Sequence, residues 1–160
     1  MLQKITIAIA GILIIGIAVV VGWFFLGHQL QISQEKFGIY LSENSKLVIS
    51  DEDIVWYNKT SHEIKLTTEG VEKIQALEVG VYGEPFVIKI NDGKMYNGSF
   101  WTPISSVSYD GIVIEVPFNI NDNTIKLEKG YPTSEFFQGA DPRGDQRVSD
   151  HFQEIGKLIQ

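Results

Sequence analysis

Hydrophobic and polar positions divide this chain of 160 residues into three regimes. From Ile5 to Leu26 runs an unbroken stretch, ITIAIAGILIIGIAVVVGWFFL, of 22 residues without a charge. At 1.5 Å rise per residue it would make a helix of about 33 Å, matched to a hydrocarbon core of about 30 Å. Lipid tolerates only such fully hydrogen-bonded backbone. Gly27–Lys36 (GHQLQISQEK) is polar and weakly patterned, and reads as a tether. From Phe37 onward, short apolar runs alternate with turn residues, which predicts one folded domain over 37–160.

Within that domain the runs Phe37–Leu41 and Leu47–Ser50, separated by Ser42-Glu43-Asn44-Ser45-Lys46, predict a hairpin. Ser50-Asp51-Glu52-Asp53 has the form of a helix start, with a Ser cap and an acid three residues on, and predicts a short helix through Tyr57. His62–Thr67 alternates, with Ile64 and Leu66 on one face. Thr68 is expected to cap a helix carrying Val71, Ile74 and Leu77 that ends at Gly80 and Gly83. Phe86–Ile90 and Lys94–Tyr96 flank the turn Asn91-Asp92-Gly93. Ile112–Val116 follows the turn at Tyr109-Asp110-Gly111, and Asn121-Asp122-Asn123 separates Phe118–Ile120 from Thr124–Leu127. Gly130–Asp145 has loop composition, and Gln146–Ile159 sets Val148, Phe152, Ile155 and Ile159 on one helical face. Strands and helices mix without regular βαβ alternation. The expected fold is therefore α+β, a mainly antiparallel sheet with two or three helices behind a single transmembrane helix.

Composition and charge sharpen the division. Twenty of the first 26 residues are apolar, against 50 of the remaining 134. Lys4 is the one charge before Glu35, while the part after Leu26 sets 12 bases against 20 acids for a net charge of −8. Trp23, Phe24 and Phe25 suit an interfacial aromatic belt at one end of the span, and Lys4 with the α-amino group suits the cytoplasmic end. The segment is longer than the apolar region of a cleaved secretory signal, and no small-x-small site follows it. Residues 1–26 thus read as an uncleaved signal anchor in the cell membrane, with 27–36 as tether and 37–160 outside. Gly11, Gly16 and Gly22 do not repeat at the spacing of a G-x-x-x-G dimer face. The acidity of the outer part argues against nucleic acid and anionic head groups as partners. Without cysteine, neither disulfides nor thiolate metal sites contribute, and the fold rests on packing.

Chemical motifs are sparse. His62-Glu63 lacks the second histidine of an H-E-x-x-H pair, His28 stands alone, and His151 beside Asp150 is expected on a solvated helix face. Asp51-Glu52-Asp53 reads as helix-start acids without the turn glycine of a calcium loop, and Asp141-Pro142-Arg143-Gly144-Asp145 as a turn. No G-x-S-x-G, P-loop or G-x-G-x-x-G occurs, so no catalytic, cofactor or metal residues are assigned. Two N-x-[ST] sequons, at Asn58 and Asn97, fall in predicted loops. The aromatic pairs remain. In a core reading Trp56 and Phe100 are buried with Tyr57 and Trp101 half-exposed; in a binding reading they line a surface patch. Phe136-Phe137, in a polar loop, needs either a core or a partner. Trp56, Trp101, Phe136 and Phe137 are accordingly the candidate partner-binding aromatics.

The stretch Ile64–Val116 resembles the head part of the large periplasmic domain of SecD, an export-motor subunit. The likeness rests on a strand ending Leu66-Thr67, Glu69-Gly70 opening a helix, Gly83-Glu84-Pro85 before an apolar strand, the Asp92-Gly93 hairpin, and the strand from Gly111 to Ile114. It covers about a third of the chain. Asn91 is an extra residue before the hairpin, and Tyr96-Asn97-Gly98-Ser99 replaces the Ala-Pro of that family. SecD carries several spans with intramembrane acids, whereas Ile5–Leu26 holds neither acid nor base. The resemblance implies a head that binds without driving translocation. The expected function is therefore a membrane-anchored extracytoplasmic binding or accessory module whose partner is another membrane or export protein. A homo-oligomer through the C-terminal amphipathic helix is compatible with it. The competing expectation is a small extracytoplasmic hydrolase with a site assembled from distant residues.

Overall fold

A six-stranded and a four-stranded sheet are built over one hydrophobic core. The computed structural model describes residues 36–116 and 122–160. The expected membrane segment Ile5–Leu26, the tether up to Glu35, His28 and the expected strand Phe118–Ile120 lie outside the described residues. Among the described residues no helix is long and apolar enough to cross a membrane.

The larger sheet contains β1 (Phe37–Leu41), β2 (Leu47–Ser50), β5 (Glu84–Ile90), β6 (Gly93–Trp101), β7 (Tyr109–Glu115) and β9 (Glu128–Tyr131), in the order β2-β1-β5-β6-β7-β9. The smaller contains β3 (Ile54–Asn58), β4 (Glu63–Leu66), β8 (Thr124–Lys126) and β10 (Leu158–Ile159), in the order β10-β3-β4-β8. Among the described residues only β6 with β7 and β10 with β3 pair in parallel; the other pairings are antiparallel. Among the described residues there are two α-helices, α1 (Thr68–Gln75) and α2 (Gln146–Glu154). The architecture is α+β with mainly antiparallel strands.

Period-two alternation turns one set of side chains of the larger sheet inward: Phe37 and Ile39 of β1, Phe86, Ile88 and Ile90 of β5, and Ile112 and Ile114 of β7. They join Tyr57, Ile64 and Leu66 of the smaller sheet, Ile74 of α1, and Val148 and Phe152 of α2 in a single cluster. Gly98 makes this packing possible, since a Cβ there would fall inside the Phe86 ring and onto the Ile112 carbonyl. A single run of chain serves both sheets: β8 passes through the buried Leu127, whose N–H bonds the His62 carbonyl, directly into β9.

Several expectations are corrected. The helix expected through Tyr57 is only a 3₁₀ turn over Asp51–Asp53, after which Ile54–Asn58 is strand. A bulge explains the misleading pattern. Ile54 pairs with Leu66 and Trp56 with Lys65, so the extra residue Val55 puts Ile54 and Tyr57 on the same buried side at helix-like spacing. The Ser50 and Asp53 pairing survives without the helix: the Ser50 N–H and hydroxyl both donate to Asp53 Oδ2, at 2.9 and 3.0 Å. Helix α1 is capped by Thr67 and not Thr68, and ends at Gln75 well before Gly80. β6 continues from the hairpin to Trp101, so the Asn97 sequon lies in a strand and not a loop, with Ser99 buried. The C-terminal helix stops at Glu154; Gly156, at φ 71°, turns the chain, and Leu158–Ile159 joins β3 as a strand. Gly130 and Tyr131 belong to β9, and 3₁₀ turns at Ser134–Phe136 and Pro142–Gly144 interrupt the expected loop.

Candidate interaction surface

The outward face of the larger sheet carries its own small apolar cluster, made of Trp101, Val113 and Tyr131 with Tyr109 packed against it. Trp101 stacks on Tyr109, ring centroids 5.1 Å apart at 28°, and meets Tyr131 at 5.8 Å. Three segments cover this face. The connection between the parallel strands β6 and β7 is only Thr102–Ser108, seven residues where a dozen or more is usual, so it has no room for a helix. The second segment is the turn before β5, where Gly83 at φ 75° sits against Trp101 so closely that a Cβ would enter the indole. The third follows β9.

Hydrogen bonds pin these segments to each other. The Tyr131 hydroxyl donates to the carbonyls of Pro103 (2.9 Å) and Ser105 (3.2 Å). The Ser105 hydroxyl donates to the Val81 carbonyl at 2.6 Å, and Gln138 N–H bonds the Asp110 carbonyl at 3.0 Å. A shallow depression of about 310 Å³ lies between Ser108, Tyr109, Asp110, Phe136 and Gln138.

These pinned loops expose several large apolar side chains. Val81 and Tyr82 project from the turn before β5, Ile104 and Val107 from the crossover, and Phe136 from the turn after β9; Tyr82 is 78% and Ile104 83% exposed. Isolated exposed hydrophobes are ordinary, but several on adjoining rigid loops form the kind of patch that marks an interaction surface. The described chain enters the domain at the end of β5 away from the Tyr82 turn: Phe37 pairs with Ile90, and Lys36 bonds Asn91, six strand positions or about 20 Å from Glu84, where that turn ends.

The three segments, taken with the strand residues that adjoin them, are also one-signed. Leu77–Val87, Thr102–Val116 and Tyr131–Ala140 contain five acids, Glu78, Glu84, Asp110, Glu115 and Glu135, and no Lys or Arg. Burial, with the Glu128 carboxylate adding to it, raises the Glu115 carboxyl above its ordinary range. Burial raises the Tyr109 phenol too, and Asp110 reinforces the shift.

The four aromatics singled out from sequence are not brought together. Trp101 is 2% exposed and forms the floor of the surface, with its indole Nε1 unpartnered. Phe136 is on the rim. Phe137 is half-buried against the main core, with Lys129 Nζ 5.7 Å from its ring centroid. Trp56 is half-buried on β3, and Tyr57 beside it is the buried one, which reverses the expected pair. Val81, Tyr82, Ile104 and Val107 were not singled out. Their signal was available: large apolar residues inside turn sequences, Gly80-Val81-Tyr82-Gly83 and Pro103-Ile104-Ser105-Ser106-Val107, where neither periodicity gives them a core face.

His151 is also corrected, from a solvated position to a buried one. It is 2% exposed, Nε2 lies 2.7 Å from Asp51 Oδ1, and Nδ1 has no partner. Its ring is flanked by Phe37 and Phe152. A second depression, of about 280 Å³, is lined by Lys126, Lys129 and Arg143. Its cations are engaged, Lys126 with Glu128, Lys129 with Asp141, and Arg143 with both Asp141 and the Leu127 carbonyl. That contact, led by the Arg143 hydrogen bond, holds the Asp141 carboxyl well below the usual carboxylate range. Among the described residues no group of three His, Cys, Asp or Glu is arranged to hold a metal ion. Comparison with known proteins finds no matching family model, no matching curated protein and no matching solved structure.

Proposed function

We propose that this chain is a single-pass, membrane-anchored binding module, held outside the membrane by Ile5–Leu26 and engaging another membrane or export protein, without motor activity of its own. The observation that carries the reading is the apolar surface on the loops around Trp101. Hydrogen bonds from Tyr131 and Ser105 hold those loops in one arrangement, so a partner is met without first ordering them. The 22 uncharged residues of Ile5–Leu26 support the anchor, and Lys4 supports a cytoplasmic N-terminus. The likeness to the SecD head rests on its sequence landmarks, which fall at the end of β4 (Leu66), the start of α1 (Glu69-Gly70), the start of β5 (Glu84-Pro85), the β5–β6 turn (Asp92-Gly93) and within β7 (Gly111–Ile114).

The test uses the full chain in cells. A photo-crosslinking residue at Tyr82 or Ile104, in carbonate-washed membranes, is expected to trap a distinct membrane or export protein. The same residue at Glu43, in the β1–β2 turn, is expected to trap none. Release of the chain by carbonate, or equal products from both faces, would sink the reading.

A further inference from the structure

We infer that the occupant of this surface is a polypeptide segment carrying Lys or Arg beside large apolar side chains. The inference rests on the binding-module reading and names the chemistry of the partner. Val81, Tyr82, Ile104, Val107 and Phe136 supply exposed apolar area around one floor, the buried Trp101. Each contributing loop also has an acid in it or on the strand next to it: Glu78 and Glu84 flank Val81 and Tyr82, Asp110 at the start of β7 follows Val107 and Tyr109, and Glu135 precedes Phe136. Glu78, Asp110 and Glu135 are exposed, and Glu84 is half-exposed. With no base in any of the three segments, this rim stays uncompensated from within its own loops.

That sign chooses between the occupants an apolar surface otherwise admits. A bilayer presents anionic head groups, which the rim repels, or zwitterionic ones, which bring no net cation to pair with it. A second copy docked through the same face would bring Glu78, Glu84, Asp110 and Glu135 against their own equivalents, since a two-fold contact apposes the same patch to itself. A basic, apolar polypeptide segment satisfies both parts of the surface. Its apolar side chains cover the loop tips, and its cations meet the rim.

The experiment uses the full chain in phosphatidylcholine nanodiscs, with empty nanodiscs as the blank. The probes are short fluorescent peptides of Lys with Leu, Glu with Leu, and Lys with Ser. The Lys/Leu peptide alone is expected to bind, and more weakly as salt shortens the screening length. Ile104→Asp is expected to weaken it about tenfold or more, as for loss of a central apolar contact. The triple variant Glu78→Lys, Glu84→Lys, Glu135→Lys is expected to move the preference to the Glu/Leu peptide. Binding of both charged peptides alike, or indifference to either variant, overturns the inference. So does Ile104-dependent adhesion to phosphatidylglycerol vesicles, which assigns the face to lipid, or a crosslink between two copies from position 104, which assigns it to self-association. Membrane crosslinks from Tyr82 and Ile104 without a peptide preference would leave the binding-module reading standing and refute this chemistry alone.

Discussion

His151 Nε2 and Asp51 Oδ1 lie 2.7 Å apart, although a hundred positions of sequence separate them. The same carboxylate accepts the Phe37 N–H through Oδ2 at 2.9 Å, so Asp51 ties α2 to the first residue of β1. Lys157 completes the junction by donating to the carbonyls of Asp51 (2.6 Å) and Ile54 (2.5 Å). Removing the carboxylate leaves a buried ring nitrogen and a backbone N–H without their acceptor. Asp51→Ala is therefore expected to cost about 2–4 kcal/mol in urea unfolding, and to be strongly non-additive with His151→Ala. Additive losses would show that the pair is not a working contact.

Asp53 predicts the acid limb of stability. Burial alone would raise its carboxyl, but hydrogen bonds from Lys73, the Ser50 backbone and the Ser50 hydroxyl outweigh burial and leave it below its ordinary value of 3.8. A carboxyl lowered in the folded state contributes stability that is complete above its unfolded value and lost as pH falls through the folded one. The urea midpoint is expected to fall below about pH 4, and Asp53→Asn to flatten that fall while lowering the neutral plateau. An unchanged acid limb in Asp53→Asn would assign it to other carboxyls.

The surface and its floor should separate cleanly. Ile104→Asp, at a site 83% exposed, is expected to change stability by no more than about 0.5 kcal/mol. Trp101→Ala, beneath it, is expected to cost about 3–5 kcal/mol, which thermal or urea unfolding would record. A large loss from Ile104→Asp would mean that this side chain is packed and not presented.

Gly98 should tolerate no side chain. Gly98→Ala drives a methyl into the Phe86 ring and the Ile112 carbonyl, an overpacking expected to cost about 1–3 kcal/mol or more. Because the ring is one of the two obstacles, the double variant with Phe86→Leu is expected to lose less than the two single losses combined.

Much of the sheet was legible because its strands are half-buried and keep period two. The hairpin over Phe37–Ser50, the Asn91-Asp92-Gly93 turn and the strand around Ile112 follow from alternation bounded by turn residues. Where reading failed, a local irregularity had imitated the other period. Val55 shifts register by one, so Ile54 and Tyr57 mimic a helix; Gly156 breaks the stripe from Val148 to Ile159, whose last member belongs to a strand. The division into two sheets was not legible, because it depends on which distant strands pair. The burial of His151 was hidden for the same reason, its partner being at Asp51. The surface is half-legible: Phe136 stands out as an aromatic in a loop, while Tyr82 and Ile104 sit in turn sequences that no periodicity assigns to a face.

The unbroken passage from β8 through Leu127 into β9 bears on how the domain comes apart. β8 is an edge of the smaller sheet and β9 an edge of the larger, so pulling this segment away strips both at once. Leu127 itself sits in the cluster shared by β1, β4, β5, β7 and both helices. Neither sheet can therefore lose this edge and leave the other whole. The two should melt as one cooperative unit in a single transition, with no half-structured state in which one sheet outlives the other.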